Sequence, residues 1–169
     1  MWLELVQLVP VISLAIPFIA RGEVDLTRAA PGFSIAAALF VIVTGLVVVK
    51  RGVLNPILLG TGAWLIFGAL AFNVPLDSLA SSLAETQAFT LFLAVCVVGL
   101  IATFASGEGF IGHRSDDAAW IRRASFALLA LAVGAAAWSY RFHNDVRLGG
   151  GLPFIVLNVA RRLLIRTKS

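Results

Sequence analysis

The densest group of side chains able to do chemistry is Arg141-Phe142-His143-Asn144-Asp145-Val146-Arg147. An imidazole near a carboxylate is raw material for proton transfer. At headgroup depth, His143, Asp145 and Arg147 would be the candidates for a lipid-modifying enzyme. The plainer reading is a solvated loop held at a membrane surface by Arg141 and Arg147, and it is preferred here. Other chemistry is poorly supplied. A metal centre needs several His, Cys or carboxylate ligands at workable spacing, whereas the two histidines, His113 and His143, fall in loops expected on opposite faces. The single cysteine, Cys96, lies inside an apolar run, which excludes an internal disulfide and a Cys-x-x-Cys redox pair. The serines, which occur in loops and near helix ends, form no recognisable nucleophile triad in sequence. Gly60-Thr61-Gly62 lacks the rest of any phosphate-loop pattern. No metal or cofactor is expected.

What remains are polar residues within or beside apolar runs, where membrane proteins usually keep their function. Glu4 and Gln7 share one face of the first apolar segment, close to its start. Asn55, Asn73 and Asn158 fall near helix ends or breaks. Thr44 and Thr61 lie deeper, but a hydroxyl can be satisfied by its own helix backbone. The candidate substrate- or pore-lining set is therefore Glu4, Gln7, Asn55, Thr61, Asn73, His143, Asp145 and Asn158. No Asp, Glu, Lys or Arg occupies the middle third of any apolar run. That argues against a proton pump or a voltage sensor, which normally require one.

The elements that must position these residues are helices in lipid. Of 169 residues, 60% are apolar and 13% charged, against roughly 45–50% and about 25% in soluble domains. The length suits one polytopic domain, residues 1–169, built from about six membrane helices. Six segments can be marked: Trp2–Ala20, Phe33–Val49, Val53–Asn73, Glu85–Phe104, Ser115–Tyr140 and Leu152–Ile165. The first resembles a secretory signal. Glu4 stands where basic residues belong, however, and Phe18 spoils the cleavage site, so a retained helix kinked by Pro10 and Pro17 is expected. Leu76, Leu79, Ala80 and Leu83 fall at helical spacing and predict a short interfacial helix. Ser115 followed by Asp116 and Asp117 reads as a helix cap with acids in the first turn. Trp120 and Trp138 mark the two membrane interfaces of the fifth segment. Gly60-Thr61-Gly62 and the pair Ala130 and Gly134 offer small-residue surfaces for close helix packing.

The thirteen Lys and Arg residues sit at the ends of apolar runs. That pattern follows the positive-inside rule and is not a nucleic-acid footprint, which would cluster on one face. The rule places both termini in the cytoplasm, provided the short sixth segment crosses, and low lysine with high alanine and arginine suggests a bacterial inner membrane. Alternatively that segment lies on the surface, because Arg161 and Arg162 interrupt it and would have to snorkel. Six helices divide into three plus three, and Gly52–Leu59 resembles Gly150–Leu157, as in an inverted pseudo-repeat. The function expected from these features is transport or channelling of a neutral or weakly polar small solute, by a self-associating chain. The alternative is a non-catalytic subunit of a larger membrane complex, and a lipid-modifying enzyme comes third.

Overall fold

A computed structural model of the chain describes residues 7–11, 13, 26–50, 52–74, 81–83, 85–142 and 145–168. Glu4, His143, Leu76, Leu79, Ala80 and Pro17 lie outside them. The helices are α1 (Leu26–Val49), α2 (Pro56–Asn73), α3 (Gln87–Ala105), α4 (Ala118–Arg141) and α5 (Leu152–Arg166). A π-helical turn, Val146–Gly151, leads into α5. Five stretches are long and apolar enough to cross a bilayer: Ala30–Val49, Pro56–Asn73, Ala88–Ala105, Ala118–Arg141 and Arg147–Arg166. No strand occurs among the described residues. The architecture is that of a helical membrane bundle.

Local chemistry sets the helix ends. Asn55 caps α2, its side-chain oxygen accepting from the Ile57 N–H at 3.1 Å. Pro56 follows at the first position, where a missing N–H costs nothing. This helix therefore opens three residues later than the expected Val53. The cap of α4 is Asp117, which accepts from the Trp120 N–H at 2.9 Å. Ser115 does not cap it, and no acid lies in the first turn. The Ser115 hydroxyl instead accepts from the Asp117 N–H at 3.3 Å, forming the turn that precedes the helix.

Packing is sequential, with α2 at its centre. Just over half of α2 (56%) is buried, against 17–33% of the other spans. Glycines allow the closest approaches, because lipid supplies no hydrophobic push and contact must come from shape. A Cβ on Gly60 would stand 2.5 Å from the Val95 Cα of α3. Gly62 and Gly68 receive the rings of Phe40 and Phe33 from α1. Phe33 in turn meets Trp64 edge-on at 4.8 Å, and the Trp64 indole donates to Thr90 of α3 at 3.0 Å. The small-residue reading of Gly60-Thr61-Gly62 thus holds. The same reading of Ala130 and Gly134 does not hold within this chain. Both are exposed on α4, and open space surrounds Gly134.

Direction along the chain divides the bundle into two ends. The first end carries the close of α1, the start of α2, the α3–α4 loop and the close of α5. It holds Lys50, Arg114, Arg122, Arg123, Arg161, Arg162, Arg166 and Lys168, and is called the basic end below. The opposite end carries the α2–α3 link and the turn before α5. Lys168 Nζ reaches Asp117 Oδ2 at the start of α4, at 2.8 Å. With its preceding turn, α5 therefore runs the height of the bundle beside α4 and does not lie across one end. At about 1.5 Å per residue, Arg147–Arg166 measures roughly 30 Å, the thickness of a bilayer's hydrocarbon.

Candidate functional site

Three of the candidate residues, far apart in sequence, converge at the basic end. The Gln7 side chain pairs with the α1–α2 link as a peptide would. Its Oε1 accepts from the Asn55 N–H at 3.0 Å, and its Nε2 donates to the Val53 carbonyl at 3.4 Å. Asn55 Nδ2 donates to Asn158 Oδ1 of α5 at 3.5 Å. Asn158 donates in turn to the Phe154 carbonyl of its own helix at 2.9 Å. Gln7 and Asn55 are each 6% exposed, so these carboxamides work away from water. Thr61 continues the line along α2, donating to the Ile57 carbonyl at 2.9 Å, as expected for a hydroxyl satisfied by its own helix. Beside Gln7 and Asn55 lies a cavity of about 10 Å³, walled by Phe40, Val43, Thr44 and Leu58 among others. It has room for one water-sized group at most.

The remaining candidates stand apart from this cluster. Asn73 closes α2 at the opposite end, donating to Ser34 of α1 at 2.8 Å and to the Ala69 carbonyl at 2.7 Å. Asp145 caps the π-helical turn, its Oδ1 accepting from the Arg147 and Leu148 N–H groups at 2.9 and 3.0 Å. Around that turn Trp138 donates to the Leu148 carbonyl at 3.0 Å and Ser139 to the Gly149 carbonyl. Among the described residues no three His, Cys, Asp or Glu side chains come together to hold a metal.

Sequence reading missed the feature that roofs the carboxamide cluster. Within the α3–α4 loop, Phe110 and Ile111 are fully buried between glycines with positive φ, Gly109 at 59° and Gly112 at 57°. Positive φ suits glycine because it has no Cβ to clash. Gly109 fits against Ser125 and Ile121 of α4. Gly112 fits against Leu54 and Pro56, the neighbours of Asn55. The Phe110 ring lies against Gly99 of α3. Ser125 accepts from the Ile111 N–H at 3.3 Å. Arg161, only 4% exposed, donates from Nε to the Ile111 carbonyl at 2.8 Å and from Nη2 to the Gly112 carbonyl at 3.1 Å. Arg161 therefore points inward onto backbone acceptors and does not snorkel, whereas exposed Arg162 takes the outward course. The signal was present in Gly109-Phe110-Ile111-Gly112, two bulky apolar residues between glycines in the most polar loop.

On the outer side of this loop, Ser106, Gly107, Glu108, Arg114, Ser115 and Asp116 line an open groove of about 640 Å³. Glu108 and Arg114 pair across it at 2.6 Å. Compared with known proteins, the chain matches no family model, no curated protein and no solved structure.

Proposed function

We propose that this is a small transporter or channel for a neutral or weakly polar solute in a bacterial cytoplasmic membrane. The reading counts six membrane segments, including the apolar N-terminal one, with both termini cytoplasmic. One observation carries it: at one end of the bundle the buried Gln7 carboxamide holds the backbone of Asn55, whose own buried carboxamide reaches half-buried Asn158, so three separate segments are joined by uncharged polar groups. A carboxamide both donates and accepts without carrying charge, which suits a solute that is itself uncharged. The adjoining cavity admits only a water-sized group, so a larger solute requires these segments to part. The openings of α2 and α5 lie at opposite ends of the bundle, as two inverted halves would require. They differ in detail, with an Asn55 cap at one and an Asp145-capped π-helical turn at the other. Purified protein in liposomes, tested against a panel of neutral and weakly polar solutes, should conduct at least one of them. Asn158→Leu should lose that flux while retaining its helical signature. Absence of flux across the panel defeats the reading.

A second reading, a subunit of a larger membrane complex, has its own support. The outward face of α4 bearing Ala130 and Gly134 is smooth enough to take a helix from another chain. Extraction in a mild detergent separates the two readings, since stoichiometric foreign partners favour the subunit and self-association alone favours the transporter. A lipid-modifying enzyme at His143, Asp145 and Arg147 gains no comparable support, because the Asp145 oxygen that caps the turn already serves two backbone N–H groups.

A further inference from the structure

Four arginines at the basic end form no hydrogen bond or ion pair among the described residues. Arg122 and Arg123 lie in the opening turns of α4, and Arg162 and Arg166 in the closing turns of α5. All four are exposed. The two helix ends meet, as the 2.8 Å contact between Lys168 and Asp117 fixes. The described carboxylates on this part of the surface come from the α3–α4 loop, and two of them are already engaged. Glu108 pairs with Arg114 and Asp117 with Lys168, leaving Asp116.

Each arginine pair also stands at the head of an apolar strip. On α5, Arg162 and Arg166 continue the line of Ile155 and Val159, which are 63% and 48% exposed, on the face opposite Leu157 and Arg161. On α4, Arg122 lies one turn from Phe126, which is 44% exposed and meets Phe104 of α3 edge-on at 5.9 Å. Below is hydrocarbon contact; above it, at the level where the helices leave the apolar layer, are unneutralised guanidinium groups. The molecule that complements both levels at once has acyl chains and a negative headgroup. Guanidinium is suited to it because its planar fork matches phosphate oxygens two at a time.

We propose that the rim of the basic end, where α4 opens and α5 closes, is a binding surface for anionic phospholipid. The proposal needs neither the transport reading nor a choice of which leaflet the basic end faces. A basic side chain near an anionic membrane surface contributes on the order of a fivefold preference. Removing one pair should therefore weaken retention of the lipid by roughly tenfold or more.

The test uses the full chain purified from nanodiscs containing equal phosphatidylglycerol and phosphatidylcholine, with retained lipid measured by native mass spectrometry. Wild-type protein should retain phosphatidylglycerol in clear excess, and the excess should shrink as salt is raised. R162Q/R166Q and R122Q/R123Q should each lose most of it, whereas R141Q, at the opposite end, should not. Equal retention of the two lipids by wild type overturns the proposal, and so does an excess that survives both double substitutions or is lost equally in R141Q. Should a double variant fail to fold, the wild-type lipid comparison and its salt dependence decide.

Discussion

The two ends of the bundle close their backbones in opposite ways. At the basic end the bonds are long-range and mostly buried: Gln7 to Asn55, Asn55 to Asn158, and Arg161 to Ile111 and Gly112, spanning 48, 103, 50 and 49 residues. At the opposite end they are mostly short-range, and the long one, Asn73 to Ser34 across 39 residues, is exposed. Asp145 serves groups two and three residues on, while Trp138 and Ser139 reach ten residues ahead. Asp145 and Trp138 are exposed there. A local cap stabilises only its own turn, and water can replace it when it is lost. A buried bond between distant segments fixes how helices sit against one another, and its loss leaves a polar group with no substitute partner. The basic end should therefore govern the tertiary arrangement, and the opposite end only the local entry into α5.

The largest break in this asymmetry is expected at Arg161. Arg161→Met strands the Ile111 and Gly112 carbonyls, each costing about 1–3 kcal/mol when buried and unsatisfied. Relief from burying a charge offsets part of this, leaving a net loss of about 3 kcal/mol. Arg161→Lys should rescue little, since one ammonium cannot replace two donors held in a planar fork. Thermal unfolding in detergent checks both, and a midpoint unmoved by Arg161→Met would show that the loop packs without its clamp.

A smaller, paired effect sharpens the same contrast. Gln7→Leu removes the acceptor for a buried N–H and should cost about 1–2 kcal/mol. Asp145→Ala removes an exposed cap and should cost about 1 kcal/mol or less. Their difference also appears in hydrogen exchange. Gln7→Leu should speed exchange in α2 and α5 together, and Asp145→Ala only between Val146 and Leu152. Equal and equally local effects would erase the distinction between the ends.

The same asymmetry explains what was legible from sequence. Helices α1 to α5 could be read because hydrocarbon demands uninterrupted apolar runs, and the runs ending at Lys50, Asn73 and Arg141 announce themselves. Asn55-Pro56 carried a cap and a first-turn proline in adjacent letters, so only the boundary was misplaced, by three residues. Asp145 could be read as part of a solvated loop, and it stands exposed at the turn before α5. Nothing local reports that Asn158 meets Asn55, because their shared surface exists only once α5 has returned beside the start of α2. Arg161 misled for a related reason. Its neighbours suggested a cation seeking water, while its acceptors lay fifty residues away in a loop whose inward turn rests on Gly109 and Gly112.

The smallest expected effect tests the rim of the basic end, where a long-range contact is exposed and should behave more like the opposite end. The Lys168 ammonium, donating to Asp117 across 51 residues, holds that carboxyl below the usual aspartate range, and the Trp120 N–H adds to it. A depressed folded value means the stabilisation is fully present above the unfolded value, about 3.9, and is lost as pH falls through the folded one. Solvent and salt screen the pair, so its contribution is minor even at neutral pH. Lys168→Met should lower the unfolding midpoint slightly near neutrality, and the gap from wild type should close as pH falls below about 4. Raising the salt near neutrality should close it too. A gap that persists undiminished at about pH 3 would mean that Lys168 acts through packing on Trp120, whose ring centre lies 6.0 Å from its nitrogen. The rim would then belong with the buried contacts beneath it.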